Sequence, residues 1–157
     1  MSKDKDHFKL LLVDDEEEFV KALAERLEMR DLESDTVFDG EQAIGYVEDK
    51  EPDVMVLDLK MPGIDGIEVL RQVKKAYPDI QVIILTGHGT EKDEKRAREL
   101  GAFEYLEKPV DVDKLVDRIR GAYKKRLSNI AAAATFAEAG QFDTARDIYK
   151  GKDEEEE

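Results

Sequence analysis

The sequence predicts an α/β fold: a doubly wound, five-stranded parallel sheet in the strand order 2-1-3-4-5, with five helices and a C-terminal helical extension. The main observation is that five short apolar runs, rich in Val, Ile and Leu, alternate with segments of helical periodicity. Strands that alternate with helices form a parallel sheet with helices on both faces. Right-handed crossovers leave few topologies for such a chain, and among them we favour the doubly wound order.

The predicted strands differ in how completely apolar they are. FKLLLV at 8–13, DVMVL at 53–57 and QVIIL at 81–85 are almost entirely apolar, which is typical of strands buried on both faces. The run at 33–38 is weaker, and the run at 102–107 completes the series.

The predicted helices carry apolar residues at helical spacing and cover residues 16–29, 41–49, 67–77, 91–100 and 112–127. We expect Asp15 to act as the N-cap of the first helix, because Asp is a favoured capping residue. Asp39-Gly40 is predicted to be a turn, and residues 58–66, with one Pro and two Gly, are predicted to be a loop.

The chain divides by composition into four predicted segments. We expect a disordered N-terminus (1–7), an α/β domain (8–127), a helical extension (128–150) that follows a break at Ser128-Asn129, and a disordered acidic tail (151–157). Several roles stay open for residues 128–157. This segment could pack against the domain, pair two chains, dock a partner or be a plain extension.

Composition excludes several classes of function. The chain has no cysteine, so disulfides, zinc thiolate sites and thiol catalysis are excluded. The formal net charge is −14, and direct nucleic-acid binding is not expected, because it requires a basic face to neutralise phosphates. The N-terminus lacks the apolar core of a signal peptide, and no apolar run is long enough to span a bilayer, so we expect a cytoplasmic protein without membrane insertion.

Polar residues follow four of the predicted strands. They are Asp14-Asp15, Asp58, Thr86 and Lys108-Pro109. The carboxyl ends of parallel strands face one edge of the sheet, so three carboxylates, a hydroxyl and an ammonium group should meet in one crevice. Three acids beside one lysine suggest a hard divalent cation with an anionic group next to it.

Taken singly, these residues have ordinary structural interpretations. Asp14-Asp15 could cap a helix, Asp58 and Thr86 could be turn residues, and Lys108 could be a surface charge. Their occurrence together at four strand ends is what favours a functional site.

Four segments resemble the receiver domain of bacterial two-component response regulators. They are LLVDDEEEF at 11–19, VMVLDLKMPGIDGIEVL at 54–70, VIILTGHGT at 82–90 and YLEKPVD at 105–111. The resemblance covers roughly residues 8–125 and implies a flavodoxin-like, CheY-like fold for the domain at 8–127. It also implies that Asp58 accepts a phosphoryl group, and that Lys108 and Thr86 assist the transfer.

The resemblance implies a metal ion and a switch as well. Mg²⁺, or Mn²⁺ in its place, would be bound directly by Asp15 and Asp58, through water by Asp14, and by the backbone carbonyl of Lys60. Movement of Thr86 toward the phosphoryl group would draw Tyr105 inward. Lys60 and His88 would tune the lifetime of the phosphoryl group, with a solvent-exposed loop histidine as the alternative for His88. The Lys108-Pro109 peptide bond would be cis.

The partners implied are a sensor histidine kinase or a histidine phosphotransfer protein, an unknown downstream protein, and a second copy of the chain on phosphorylation. We expect a stand-alone receiver without a DNA-binding output domain, and no enzymatic activity beyond its own phosphorylation and dephosphorylation.

Two other functions fit the residues less well. A phosphatase of the haloacid dehalogenase type needs a second Asp two residues after the nucleophile, where this chain has Lys60. A degenerate receiver used as a scaffold would lack part of the acid, Thr and Lys set, which is complete here.

Overall fold

A computed structural model of the protein describes residues 8–138, which form a five-stranded parallel sheet between two layers of helices. The strand order is β2-β1-β3-β4-β5, so the predicted α/β fold and its 2-1-3-4-5 topology are confirmed. The strands are β1 (Leu10–Val13), β2 (Asp35–Val37), β3 (Val54–Leu57), β4 (Gln81–Thr86) and β5 (Glu104–Glu107). The helices are α1 (Glu17–Glu28), α2 (Gly40–Lys50), α3 (Gly66–Ala76), α4 (Glu91–Glu99) and α5 (Val112–Glu138).

The sheet separates two apolar cores. Alternate residues of a strand point to opposite faces, so Leu11 and Val13 of β1 pack with α2, α3 and α4, while Leu10 and Leu12 pack with α1 and α5. Every residue of β1, β3 and β4 is buried. This burial on both faces is why those strands are nearly continuous apolar runs.

Three helices begin at side-chain caps. Asp39 and Asp65 accept hydrogen bonds from the backbone N–H groups of Gln42 and Glu68, at 2.8 and 3.0 Å. Thr90 and Asp93 form a reciprocal capping box at the start of α4. The prediction of a turn at Asp39-Gly40 is therefore wrong: Asp39 is the N-cap of α2 and Gly40 is its first residue. Asp favours both structures, and the local sequence did not distinguish them.

Helix α5 runs without interruption through Ser128 and Asn129 to Glu138, so the predicted break at these residues is wrong. Ser and Asn cost a helix only about 0.5 kcal/mol each relative to Ala, and the alanines that follow favour helix. The proposed domain boundary at 127 therefore falls inside a helix. The second half of the predicted extension, and the segments 1–7 and 151–157 that are expected to be disordered, lie outside the described residues.

The buried side chain of Arg126 anchors α5 against the edge of the sheet opposite the predicted site. Its Nε donates to Asp53 Oδ1 at 2.8 Å, and its Nη2 lies 3.3 Å from Glu51 Oε2. Beyond this anchor, Leu127 and Ile130 are exposed. Among the helices of residues 8–138, none has the length and hydrophobicity needed to cross a membrane.

Candidate functional site

The site is assembled from residues at the carboxyl ends of β1, β3, β4 and β5. Val13 is in register with Leu57, so Asp14 and Asp58, which follow them, leave the sheet side by side. Thr86 is the last residue of β4, and its carbonyl accepts a hydrogen bond from the Lys108 N–H at 2.9 Å. The convergence predicted for Asp14, Asp58, Thr86 and Lys108 is therefore observed.

The ammonium group of Lys108 is the cation of the site. Its Nζ lies 2.7 Å from Asp14 Oδ2, 2.8 Å from Glu16 Oε1 and 3.8 Å from Asp58 Oδ2. It also lies 4.3 Å from the centre of the Phe19 ring, a favourable cation–π distance. Burial lowers the pKa of Lys108, but the hydrogen bonds to the two acids outweigh it and the pKa is raised overall. Lys108 therefore stays charged.

The acids of the site respond differently to their surroundings. Burial, with a smaller contribution from the charge of Asp58, raises the pKa of Asp14 despite its hydrogen bond with Lys108. The hydrogen bond from Lys108 lowers the pKa of the exposed Glu16. The site thus holds more negative charge than its single ammonium group neutralises, and an additional cation would be bound favourably.

Asp58 has one carboxylate oxygen that is buried and accepts no hydrogen bond from any group in the described part of the chain. This atom is Oδ1, and only 5% of the residue is exposed. A buried carboxylate oxygen without a partner is costly, so it is well suited to bind a cation or to act as a nucleophile. Hard divalent cations prefer such oxygens, and the residues present fit one.

The carboxylates that come together are not the predicted set. Oxygens of Asp14, Glu16 and Asp58 lie within 4.8 Å of one another, whereas Asp15 is exposed and is not part of this group. The roles of Asp15 and of the Lys60 backbone carbonyl as metal ligands stay predictions. Sequence reasoning missed Glu16, whose only signal was its place in the acidic run after β1.

The start of α1 explains the position of Asp14. Its Oδ1 accepts a hydrogen bond from the Glu16 N–H at 2.9 Å, while its Oδ2 faces Lys108. The prediction that Asp15 caps this helix is wrong, because the N-cap position is Glu16, whose own side chain makes no capping hydrogen bond. Asp14 thus orders the first turn and contributes to the site.

Thr86, Gly89 and Tyr105 form a packed group beside the acids. Thr86 is fully buried, and the hydroxyl of Tyr105 is buried with no hydrogen-bond partner among residues 8–138. A Cβ at Gly89 would lie 1.7 Å from Tyr105 Oη and 2.9 Å from Thr86 Cγ2. Tyr105 therefore already points inward, into the space left by the missing side chain of residue 89, so the inward movement predicted for it would start from a buried ring.

The two residues predicted to tune the phosphoryl lifetime lie on loops that border the site. The backbone N–H of His88 is 3.4 Å from Thr86 Oγ1, and the residue is exposed. Lys60 directs its ammonium group to Asp93 of α4, at 3.3 Å from Oδ2. The Lys108-Pro109 peptide bond is cis, as predicted.

The family model described as response regulator receiver domain matches residues 10–120. A CheY-like receiver domain protein from Methanospirillum hungatei is 22% identical, with a TM-score of 0.74 over 77% of this chain and 97% of its own, a likeness of fold alone. A response regulator receiver domain protein from Clostridium thermocellum is 35% identical, with a TM-score of 0.72 over 76% of this chain and 96% of its own. The receiver domain of NtrX from Brucella abortus is 31% identical, with a TM-score of 0.69 over 73% of this chain and 98% of its own.

Proposed function

This chain belongs to the response regulator receiver domain family, whose members serve phosphorylation-activated two-component signalling, and on that premise we propose that Asp58 is its phosphoacceptor. The observation that carries the proposal is the Oδ1 of Asp58, which is buried at the strand edge beside Lys108 and accepts no hydrogen bond from residues 8–138. A carboxylate in this position is a nucleophile whose attack produces an acyl phosphate.

The phosphoryl donor is a phosphohistidine of a sensor histidine kinase or of a histidine phosphotransfer protein. An oxygen of Asp58 forms a bond to phosphorus, the bond between phosphorus and the histidine nitrogen breaks, and the nitrogen keeps the electron pair. In this proposal Lys108, whose Nζ lies 3.8 Å from Asp58 Oδ2, offsets the negative charge that develops on the phosphoryl oxygens, and the hydroxyl of Thr86 donates a hydrogen bond to one of them.

Mg²⁺, with Mn²⁺ as a substitute, is the cation that we assign to the acidic group. Asp14, Asp15, Asp58 and the Lys60 carbonyl are the assigned ligands, and Glu16 is a further carboxylate at the same place. When bound, the metal neutralises charge on the acids and on the phosphoryl group. The excess of acids over ammonium groups supports this assignment.

Thr86 and Tyr105 form the switch in this proposal. Their packing against Gly89 supports it, because a displacement of Thr86 toward the phosphoryl group alters the space that Tyr105 occupies. The surface made by α4, β5 and α5 then changes and binds a downstream protein or a second copy of the chain. Lys60 and His88 border the site and set the lifetime of the phosphoryl group.

The protein acts in the cytoplasm as a signalling switch, not as an enzyme with a separate substrate. Lys60 supports the switch over an enzyme, because the position two residues after Asp58 carries a cation paired with Asp93 and offers no second carboxyl group for acid–base turnover.

Intact-mass measurement after incubation with acetyl phosphate and Mg²⁺ tests the proposal. The wild type is expected to gain one phosphoryl group, while Asp58→Asn gains none, and EDTA present from the start abolishes the gain. Equal labelling of the wild type and Asp58→Asn would contradict the assignment of Asp58, and labelling that is unaffected by EDTA would contradict the need for a metal.

A further inference from the structure

Lys60 connects the loop after β3 to the start of α4. It lies two residues after Asp58, and its Nζ is 3.3 Å from Oδ2 of Asp93, with half of the Lys60 side chain exposed. Lysine places a compact charge on a flexible stem, so this ammonium group can move between neighbouring acceptors. Its acceptor in this structure, Asp93, lies in α4, whereas Asp58 follows β3.

Asp93 is the residue that closes the capping box of α4. Its Oδ2 accepts the Thr90 N–H at 3.0 Å, and its own N–H donates to Thr90 Oγ1 at 3.1 Å. The same Oδ2 therefore faces both the capping N–H and Lys60. The hydrogen bond from Thr90, helped by Lys60, lowers the pKa of Asp93 although burial opposes it. A change at Lys60 is thus transmitted directly to the first turn of α4.

We propose that Lys60 exchanges partners on phosphorylation, leaving Asp93 for the phosphoryl group on Asp58 and so releasing one constraint on the start of α4. This inference rests on the proposed function of Asp58. A phosphoryl group carries more negative charge than a carboxylate and offers three acceptor oxygens. The Lys60 side chain is half exposed, so solvent screens its ion pair with the partly buried Asp93 and the stronger acceptor displaces it.

Through this exchange, phosphorylation of Asp58 affects the start of α4 without any movement of Tyr105. Linkage makes it reciprocal: if the phosphoryl group weakens the pair of Lys60 with Asp93, then that pair weakens binding of the phosphoryl group by the same factor. The coupling can therefore be measured as an affinity.

Beryllium fluoride, which binds reversibly to an aspartate as a phosphoryl mimic, is the probe. Its dissociation constant in the presence of Mg²⁺ is measured for the wild type, Asp93→Asn, Lys60→Met and the double variant. The amide introduced by Asp93→Asn retains an oxygen to accept the Thr90 N–H, so this substitution removes the charge and keeps the cap. Glu94→Gln is the matched control, since it removes a charge one residue away that pairs with Arg98.

We expect Asp93→Asn to bind the probe about two- to fivefold more tightly, the factor that corresponds to an ion pair screened by solvent on its lysine side. Lys60→Met should bind it more weakly, and Asp93→Asn should have no further effect in the Lys60→Met background. Amide exchange in the first turn of α4 should accelerate on probe binding in the wild type and not in Lys60→Met.

Three results would overturn the inference: an equal effect of Asp93→Asn in both backgrounds, an effect of Glu94→Gln as large as that of Asp93→Asn, or an unchanged affinity in Lys60→Met. A wild-type protein that does not bind the probe at all would overturn the proposed function of Asp58 and, with it, this inference. The two failures are thus distinguished by the wild-type measurement alone.

Discussion

The ammonium group of Lys108 lies closer to Asp14 than to Asp58, with Nζ to Oδ2 distances of 2.7 and 3.8 Å. Without a phosphoryl group, the positive charge of Lys108 is thus directed mainly to Asp14 and Glu16. Asp58 keeps an oxygen without a hydrogen bond among the described residues. Among the acids of the site, Asp58 thus has the least satisfied oxygen, and it is also the one assigned as the nucleophile.

Lys108→Met should destabilise the protein, because it leaves the buried charge of Asp14 without its partner. We expect the free energy of unfolding to fall by about 1–3 kcal/mol at neutral pH, less than for a fully buried pair. Urea denaturation at low ionic strength measures it. Lys21→Met, which removes an exposed lysine paired with Glu17 at 3.7 Å, is the control and should change stability by less than about 1 kcal/mol. Equal effects of the two substitutions would contradict the role given to Lys108.

The metal ligands can be separated by two conservative substitutions. Asp15→Asn should weaken Mg²⁺ binding by about tenfold or more, because it removes an assigned direct ligand. Glu16→Gln should weaken it by less, because the Glu16 carboxylate is paired with Lys108 at 2.8 Å. Calorimetric titration with Mg²⁺ compares them. A larger loss in Glu16→Gln would transfer the ligand role from Asp15 to Glu16.

Gly89→Ala should expel Tyr105 from its inward position. The new Cβ would lie 1.7 Å from the tyrosine hydroxyl and 2.9 Å from the methyl group of Thr86, so Tyr105 must move. We expect the reactivity of Tyr105 toward nitration to increase several-fold, as measured by peptide mass spectrometry.

Gly45→Ala provides the matched control, since a Cβ at residue 45 of α2 meets nothing within 4 Å. It should leave nitration of Tyr105 unchanged. If nitration of Tyr105 were also unchanged in Gly89→Ala, the inward position of Tyr105 would not depend on the space at residue 89.

The stability of the protein should depend on Glu68 at acidic pH. Hydrogen bonds from Arg71 and then Gln72 lower the pKa of Glu68 from 4.5 to about 2. A carboxyl group whose pKa is lowered on folding contributes stability above its unfolded pKa and loses it as the pH falls through the folded value. The loss should therefore occur between about pH 4.5 and 2.

Glu68→Gln removes this titration, so the difference in the free energy of unfolding between the wild type and the variant should shrink as the pH falls from 7 to 3. The difference at pH 7 should be below about 1 kcal/mol, because the ion pair is exposed. Urea denaturation across this pH range checks it. If the difference in the free energy of unfolding stayed constant from pH 7 to 3, ionisation of Glu68 would not stabilise the protein.

The sequence was sufficient to predict the sheet and four of the residues that meet at its carboxyl edge, Asp14, Asp58, Thr86 and Lys108, but not Glu16. Strands buried on both faces need continuous apolar runs, and the residue after such a run emerges at the edge where ligands bind. This is why the sequence alone predicts that Asp14, Asp58 and Lys108 lie together. The break predicted at Ser128-Asn129 failed because the helix propensity of these residues is only slightly unfavourable.

The remaining features depend on side-chain contacts between distant parts of the chain. The pairing of Glu16 with Lys108 joins residues 92 positions apart, and no local pattern distinguishes Glu16 from Asp15. The fit of Tyr105 against Gly89 and the bridge from Lys60 to Asp93 likewise arise only when α4 is placed against its neighbours. A single sequence carries little information on contacts of this kind.

The central claim is that Asp58 itself carries the phosphoryl group. Reduction of the phosphorylated protein with borohydride converts an aspartyl phosphate to homoserine, and tandem mass spectrometry of its peptides then locates the residue. The account predicts homoserine at position 58 and nowhere else among the acids of the site. Homoserine at position 14 or 15, or a modified glutamate at 16, would contradict it.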